Sequence, residues 1–139
     1  MGTTWYVGRS GRTNDSGIDQ LETLVRPYGI EVLQIDTGTA LHLKSAANRL
    51  DADTVLVTPG VLDEAAFTGF EVVMTAPNEG PAANVVDLGE GRLLMPSSYP
   101  ATAAVLQERG HQLYEVDLSQ FEAGDGGATC LSLRGRLPA

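Results

Sequence analysis

Short apolar runs alternate with polar, glycine-punctuated stretches along the chain, and the alternation recurs at long range. Three segments share one pattern: Gly29-Ile-Glu-Val-Leu-Gln-Ile-Asp36, Gly69-Phe-Glu-Val-Val-Met-Thr-Ala76 and Gly110-His-Gln-Leu-Tyr-Glu-Val-Asp117. Their glycines stand 40 and 41 residues apart, a period that marks an internal repeat of one supersecondary unit. In each, a glycine precedes a Val/Leu/Ile-rich run, which predicts a strand because such side chains fit a pleated, half-buried surface.

The residues ahead of each glycine extend the pattern. Trp5-Tyr-Val7 predicts a strand and residues 8–15 a polar loop. Ile18, Leu21, Leu24 and Val25 then fall at helical spacing, with Asp15 or Ser16 as N-cap. In the third unit Arg92-Leu-Leu-Met95 is the strand, Ser97 or Ser98 the cap, and a helix follows through Val105, Leu106 and Arg109. Gly29 and Gly110 stand where a helix C-cap calls for a positive φ. The middle unit is abbreviated, with a strand at 54–58 and a short helix at 63–67. An extra strand, Asn84-Val-Val-Asp-Leu88, pairs with 92–95 through Gly89-Glu-Gly91. The expected unit is strand, strand, helix, strand, in an α/β fold without a linker; an ordinary α/β sandwich is the alternative.

If rotation about an axis relates the units, the exits of the first and third final strands converge on one central place. One exit, Thr37-Gly-Thr-Ala-Leu-His-Leu-Lys-Ser45, holds His42; the other, Asp125-Gly-Gly-Ala-Thr-Cys130, holds the single cysteine.

Composition narrows the function. The chain has 139 residues, 42% of them hydrophobic, enough for one domain with a real core. The net charge of −9 repels phosphate backbones, so nucleic acid is excluded as a partner. No apolar run approaches the ~18 residues of a membrane span. The N-terminus lacks a signal-peptide pattern, and a single cysteine fits a reducing compartment, so the expected location is cytoplasmic.

Few residues carry candidate chemistry. Cys130 follows a glycine-rich turn and precedes an alternating Leu131-Ser-Leu133 strand, a junction where backbone N–H donors raise thiolate content. A lone cysteine also reads as a small buried hydrophobe. His42, between two leucines, suits an alternating strand, either as a hydrogen-bonded structural residue or as the proton-transfer partner of a nucleophilic cysteine. His111 is expected to be exposed and without a role. Two histidines and one cysteine without CxxC or HxxxH spacing make no structural zinc site, and 124–127 match no phosphate-binding loop. No metal or cofactor is expected. The loop Arg9-Ser-Gly-Arg12-Thr-Asn14 is a solvated turn or, through bidentate guanidinium forks, a carboxylate clamp.

Three motifs in register resemble the dimethylargininase (dimethylarginine dimethylaminohydrolase) family of the arginine deiminase and amidinotransferase superfamily. They are Val7-Gly-Arg-Ser-Gly-Arg-Thr-Asn14, Leu41-His-Leu-Lys-Ser45 and Asp125-Gly-Gly-Ala-Thr-Cys-Leu-Ser132. Ala82-Ala-Asn84, Leu94-Met-Pro96 and Tyr99-Pro100 connect them. The resemblance covers essentially the whole chain. It implies a five-unit α/β propeller with its active site on the central axis, of which residues 1–139 are the C-terminal portion, about three units. It further implies Cys130 as nucleophile, His42 as general acid and base, Arg12 on the substrate carboxylate and the Gly124 carbonyl on the substrate amine. Arginine deiminases carry an aspartate where Lys44 stands, so the dimethylargininase branch fits better.

The expected activity is hydrolysis of a methylated arginine to citrulline and dimethylamine through a covalent cysteine intermediate. The partners expected are a small guanidino substrate and either further copies of the chain or an N-terminal half. The family's guanidinium-gripping carboxylates belong to that half, and no acidic residue here matches them, so burial of the substrate's charge would go unanswered. A non-catalytic binding or assembly module of the same fold, or a deiminase of another guanidine, remains the alternative.

Overall fold

Strand-forming runs become strands along most of the chain, and their register makes three separate sheets. The computed structural model describes residues 3–133. Strand β1 (Thr4–Arg9) lies parallel to β2 (Glu31–Asp36), connected through helix α1 (Asp15–Val25). In the second sheet β4 (Thr54–Val57) lies between an antiparallel β3 (Ala47–Arg49) and a parallel β5 (Glu71–Met74). The third repeats that plan. Strand β7 (Arg92–Pro96) lies between antiparallel β6 (Val86–Gly89) and parallel β8 (Gln112–Val116), with helix α3 (Pro100–Glu108) making the parallel crossover.

The architecture is α/β, and its second and third units follow the expected strand, strand, helix, strand order. The second unit's helix shrinks to a 3-10 turn, Glu64–Ala66, capped by Asp63. The first unit lacks the antiparallel strand, and among the described residues β1 pairs only with β2. The sheets do not join into a closed barrel among those residues, and no described helix is long and apolar enough to cross a membrane.

Helix ends show where local rules gave way. The N-cap of α1 is Asn14, not Asp15 or Ser16: its side chain accepts from the Gly17 N–H at 2.9 Å. Asp15 is instead engaged by Arg9, with Nε and Oδ1 2.6 Å apart. Neither Ser97 nor Ser98 caps α3. Pro100 opens that helix, where a missing N–H costs nothing, and Glu79 reaches across from another segment to accept from Ala101 N–H (3.1 Å) and Thr102 N–H (2.6 Å). Past its C-terminus, Gly110 takes a φ of 89°. Its N–H donates to the Gln107 carbonyl and that of His111 to Leu106, the paired closure such a glycine permits.

Every residue of β4 is buried, which accounts for its unbroken apolar run. Leu56 packs with Leu50, Val85, Leu93, Met95 and Leu106 on one side; Val55 and Val57 pack with Ile35, Ala47, Leu62 and Phe67 on the other. Strand β4 is thus the wall between two cores, and the loops that follow the sheets rest on it.

Candidate active site

The path from β2 to His42 is fixed by a few buried contacts. Thr37, fully buried, has its hydroxyl 2.6 Å from the Ala40 carbonyl, which turns the chain directly after β2. Gly38 follows with a φ of 55°; a Cβ there would lie 2.9 Å from the Val61 carbonyl oxygen. His42 then occupies the N-cap position of a single helical turn, α2 (Leu43–Ala46), with extended backbone angles. The expectation of an alternating strand at His42 is therefore corrected. Gly8, expected in a loop, lies in β1 and lets α2 close in: a Cβ on it would come within 2.7 Å of Thr37 Cγ2 and 3.0 Å of Leu43 Cβ. The His42 side chain is exposed and makes no hydrogen bond among the described residues.

Cys130 is held from below by a loop folded over itself. A short helical turn, α4 (Ser119–Glu122), precedes it. Glu122 accepts from the Tyr99 hydroxyl at 2.7 Å and the Ser98 hydroxyl at 3.0 Å, pinning α4 to the start of α3. Burial, and then the Glu122 carboxylate, push the Tyr99 phenol well above its ordinary value, so it stays a donor. Asp125 turns the chain with a φ of 62°, and the Gly126 N–H returns to the Phe121 carbonyl at 2.8 Å. Gly127 packs against Asn84 so closely that a Cβ would fall 2.0 Å from Asn84 Nδ2. The Asn84 Oδ1 in turn accepts from the Thr129 N–H at 2.9 Å, and Cys130 N–H donates to Gly127 C=O at 3.0 Å. The thiol is exposed, not a buried hydrophobe. Residues 131–133 form no strand, which corrects the expected Leu131-Ser-Leu133 element; Leu133 is fully exposed.

The two loops meet. His42 and Cys130 both line a cavity of about 410 Å³, together with Gly8, Lys44 and Thr129. Leu41, His42 and Ser45 also belong to the wall of a neighbouring cavity of about 530 Å³, which Arg12, Asn84, Glu122 and Asp125 complete. Arg12 is exposed. Ser10 ties its loop to the histidine's, accepting from the Arg12 N–H at 3.0 Å and donating to the Leu41 carbonyl at 2.8 Å. Arg9, at the end of β1, is taken by Asp15, whereas Arg12 has no ion-pair partner among the described residues. Gly124 lines neither cavity, although the three residues after it line the larger one, and among the described residues its carbonyl accepts no hydrogen bond.

No group of three or more metal-ligating side chains occurs among the described residues. His111, expected to be exposed, is half-buried, with Nδ1 buried and unpartnered. An exposed thiol and an exposed imidazole on one cavity wall can carry out nucleophilic attack with proton transfer, and a guanidinium one cavity away can fix the far end of an extended anionic ligand.

Sequence reasoning missed the polar groups that hold these loops. Asn48, Glu79 and Asn84 act across 22 to 45 residues of chain, and no local periodicity announces such pairings. Asn84, expected at the start of a strand and within a connecting motif, instead follows the 3-10 turn Gly80–Ala83. A polar residue amid the apolar stretch 82–88 was its one available signal, since a buried amide needs partners.

No protein-family model matches the chain. It is 41% identical to a dimethylarginine dimethylaminohydrolase of Streptomyces coelicolor over 96% of its own length and 51% of the relative's. A solved dimethylarginine dimethylaminohydrolase of Pseudomonas aeruginosa, a cysteine-to-serine variant complexed with citrulline, superposes with a TM-score of 0.88 at 29% identity. That match covers 96% of this chain and 52% of the other. An amidinotransferase of Microseira wollei shares the fold at 18% identity and a TM-score of 0.84, over 100% of this chain and 45% of that one. The chain spans about half the length of the curated relatives it matches.

Proposed function

We propose, for a chain similar along nearly its whole length to the dimethylargininases of the amidinotransferase superfamily, that it carries the cysteine–histidine face of an active site hydrolysing a methylated arginine to citrulline and dimethylamine. Its three sheet units correspond to three of five in a propeller. The carboxylates that complete the site come from an N-terminal half or from another chain.

The chemistry explains the residue types. A guanidinium carbon is a poor electrophile because resonance spreads its charge, so it calls for a soft, strong nucleophile and a protonated leaving group. The Cys130 thiolate attacks that carbon, forming a C–S bond. His42 gives its proton to the departing dimethylamine as the C–N bond breaks, leaving a thiouronium on the cysteine. His42 then takes a proton from water, the resulting hydroxide adds to the same carbon, and cleavage of the C–S bond returns the thiolate and releases citrulline as the hydroxyl proton passes to solvent. Arg12 pairs with the substrate carboxylate as a bidentate fork, and the Gly124 carbonyl accepts from the substrate amine.

The observation that carries this reading is the shared cavity wall of His42 and Cys130, with Arg12 in the adjoining cavity that His42 also lines. A non-catalytic binding module is the second reading. It is favoured by Glu122 being spent on Tyr99 and Ser98, so that of the carboxylates lining the larger cavity only Asp125 is left to face a cation.

The test is citrulline release from asymmetric dimethylarginine by the chain beside its Cys130→Ala variant, with alkylation of Cys130 by a chloroacetamidine run in parallel. The expected result is release that disappears in the variant, and alkylation that outpaces iodoacetamide and slows when dimethylarginine is added. Alkylation no faster than that of a free thiol and unprotected by dimethylarginine, together with no citrulline, overturns the proposal. Protection without turnover selects the binding module.

A further inference from the structure

The loops bearing His42 and Cys130 are far apart in the chain, yet they are fastened to two consecutive residues, Ala83 and Asn84. Asn48 donates from Nδ2 to the Lys44 carbonyl at 2.6 Å, inside the turn that His42 begins, and also to the Ala83 carbonyl at 2.8 Å. The next residue, Asn84, accepts from the Thr129 N–H, one residue before the cysteine. Asn84 is 6% exposed, and Ala83 is fully buried at the end of the 3-10 turn Gly80–Ala83. That turn is also tied to the residue that follows β4: Thr58 donates to the Gly80 carbonyl at 2.7 Å, and its own N–H donates to Ala46 at the end of α2. The step from Ala83 to Asn84 is thus a rigid post with one loop tied to each side.

Resting on the catalytic reading above, we propose that Asn84 is a positioning residue that sets the Cys130 thiol relative to His42, with Asn48 holding the opposite side of the same post. The placement is a close fit. Asn84 fills the space beside Gly127 where any side chain would collide, so the amide orientation and the glycine fix one another. The Asn84 side chain also forms part of the larger cavity's wall, and Asn84 itself belongs to neither apolar cluster. Nucleophile and proton carrier need their separation fixed to well under 1 Å, and a misplacement of that order costs roughly 100-fold in rate.

The experiment is the pH profile of Cys130 alkylation by iodoacetamide, which needs neither substrate nor turnover. The chain has one cysteine, so the signal is unambiguous. Parent, His42→Ala, Asn84→Ala and Asn84→Asp are compared, with thermal melting of each. His42→Ala and Asn84→Ala are expected to move the profile in the same sense. Combining them adds nothing to His42→Ala alone, and Asn84→Asp, which keeps the acceptor oxygen for Thr129 but adds a charge, shifts the profile to higher pH while keeping its sensitivity to His42→Ala. Gly127→Ala supplies a second route, since its Cβ displaces the Asn84 amide while leaving that residue in place; it should reproduce Asn84→Ala even if the latter folds poorly. A profile that His42→Ala moves but Asn84→Ala and Gly127→Ala leave alone overturns the positioning role and leaves the hydrolase reading standing. A profile that none of them moves overturns the cysteine–histidine pairing, and the positioning role with it.

Discussion

Removing the Glu79 carboxylate tests whether the start of α3 is held from outside the helix. The first turn of a helix has backbone N–H groups with no partner of their own; in α3 two of them, on Ala101 and Thr102, donate to Glu79. Replacing an ordinary N-cap by alanine costs about 0.5–2 kcal/mol, and a carboxylate at the positive end of the helix dipole contributes a further ~0.3–1 kcal/mol. Thr102 is fully buried, so its N–H has no water to turn to once the carboxylate is gone. Glu79→Ala should therefore cost about 2 kcal/mol, near the upper end of the capping range. Glu79→Gln, which keeps one carbonyl acceptor, should cost about half of that. For a domain of this size each kcal/mol lowers the melting midpoint by about 4 °C.

The pH dependence has a definite sign. Burial pushes the Glu79 carboxyl up, but hydrogen bonds from Thr102 and Ala101 outweigh it and hold the carboxyl below its ordinary value. The unfolded chain then binds the proton more readily, so the contribution is complete above the unfolded glutamate value of ~4.3 and is lost as pH falls through the lower folded value. Urea unfolding of parent and Glu79→Gln at pH 7 and down to about pH 3 measures the gap directly. The two free energies should converge on acidification. Equal stabilities at pH 7, or a gap that stays constant with pH, would refute the trans-capping argument.

Other expectations follow from the packing and the open sheet. Leu93, fully buried between β4 and α3, should lose about 2–5 kcal/mol on truncation to alanine, seen as a lower urea midpoint with an unchanged slope. Strand β1 has one edge without a partner among the described residues, and Trp5 on it is 43% exposed. Such an edge recruits another chain, so gel filtration should show species larger than the monomer that shrink on dilution. A sharp monomer peak across a hundredfold concentration range would contradict this.

What the sequence made legible was whatever depends on near neighbours. The repeated glycine before each parallel strand was readable because a positive φ at Gly29, Gly69 and Gly110 is a local demand that the residue type satisfies. The buried run of β4 and the hairpin at 89–91 were readable for the same reason. The caps of α1 and α3 were not. Asp15, one of the two expected caps, pairs with Arg9 while Asn14 caps α1, and the acceptor for α3 lies 22 residues before the Ala101 N–H it receives. Propensity ranks the residues beside a helix end; it carries no information about a carboxylate arriving from another loop.

The site divides along the same line. That His42 and Cys130 come near one another was an expectation of the repeat: if rotation relates the units, their final-strand exits converge. Symmetry did not say in what conformation either residue would arrive. His42 sits at a helix start and not in a strand because Gly8 leaves room for Leu43 to close on β1, a contact between segments 35 residues apart. Cys130 stays at the end of a turn because its neighbour's N–H is claimed by Asn84. His42 and Cys130 thus reach one cavity wall from distant parts of the chain, and long-range amides fasten the loops that bear them. Substitutions at the repeat glycines should therefore act on folding, whereas substitutions at Asn48 and Asn84 should act on reactivity in a chain that still folds.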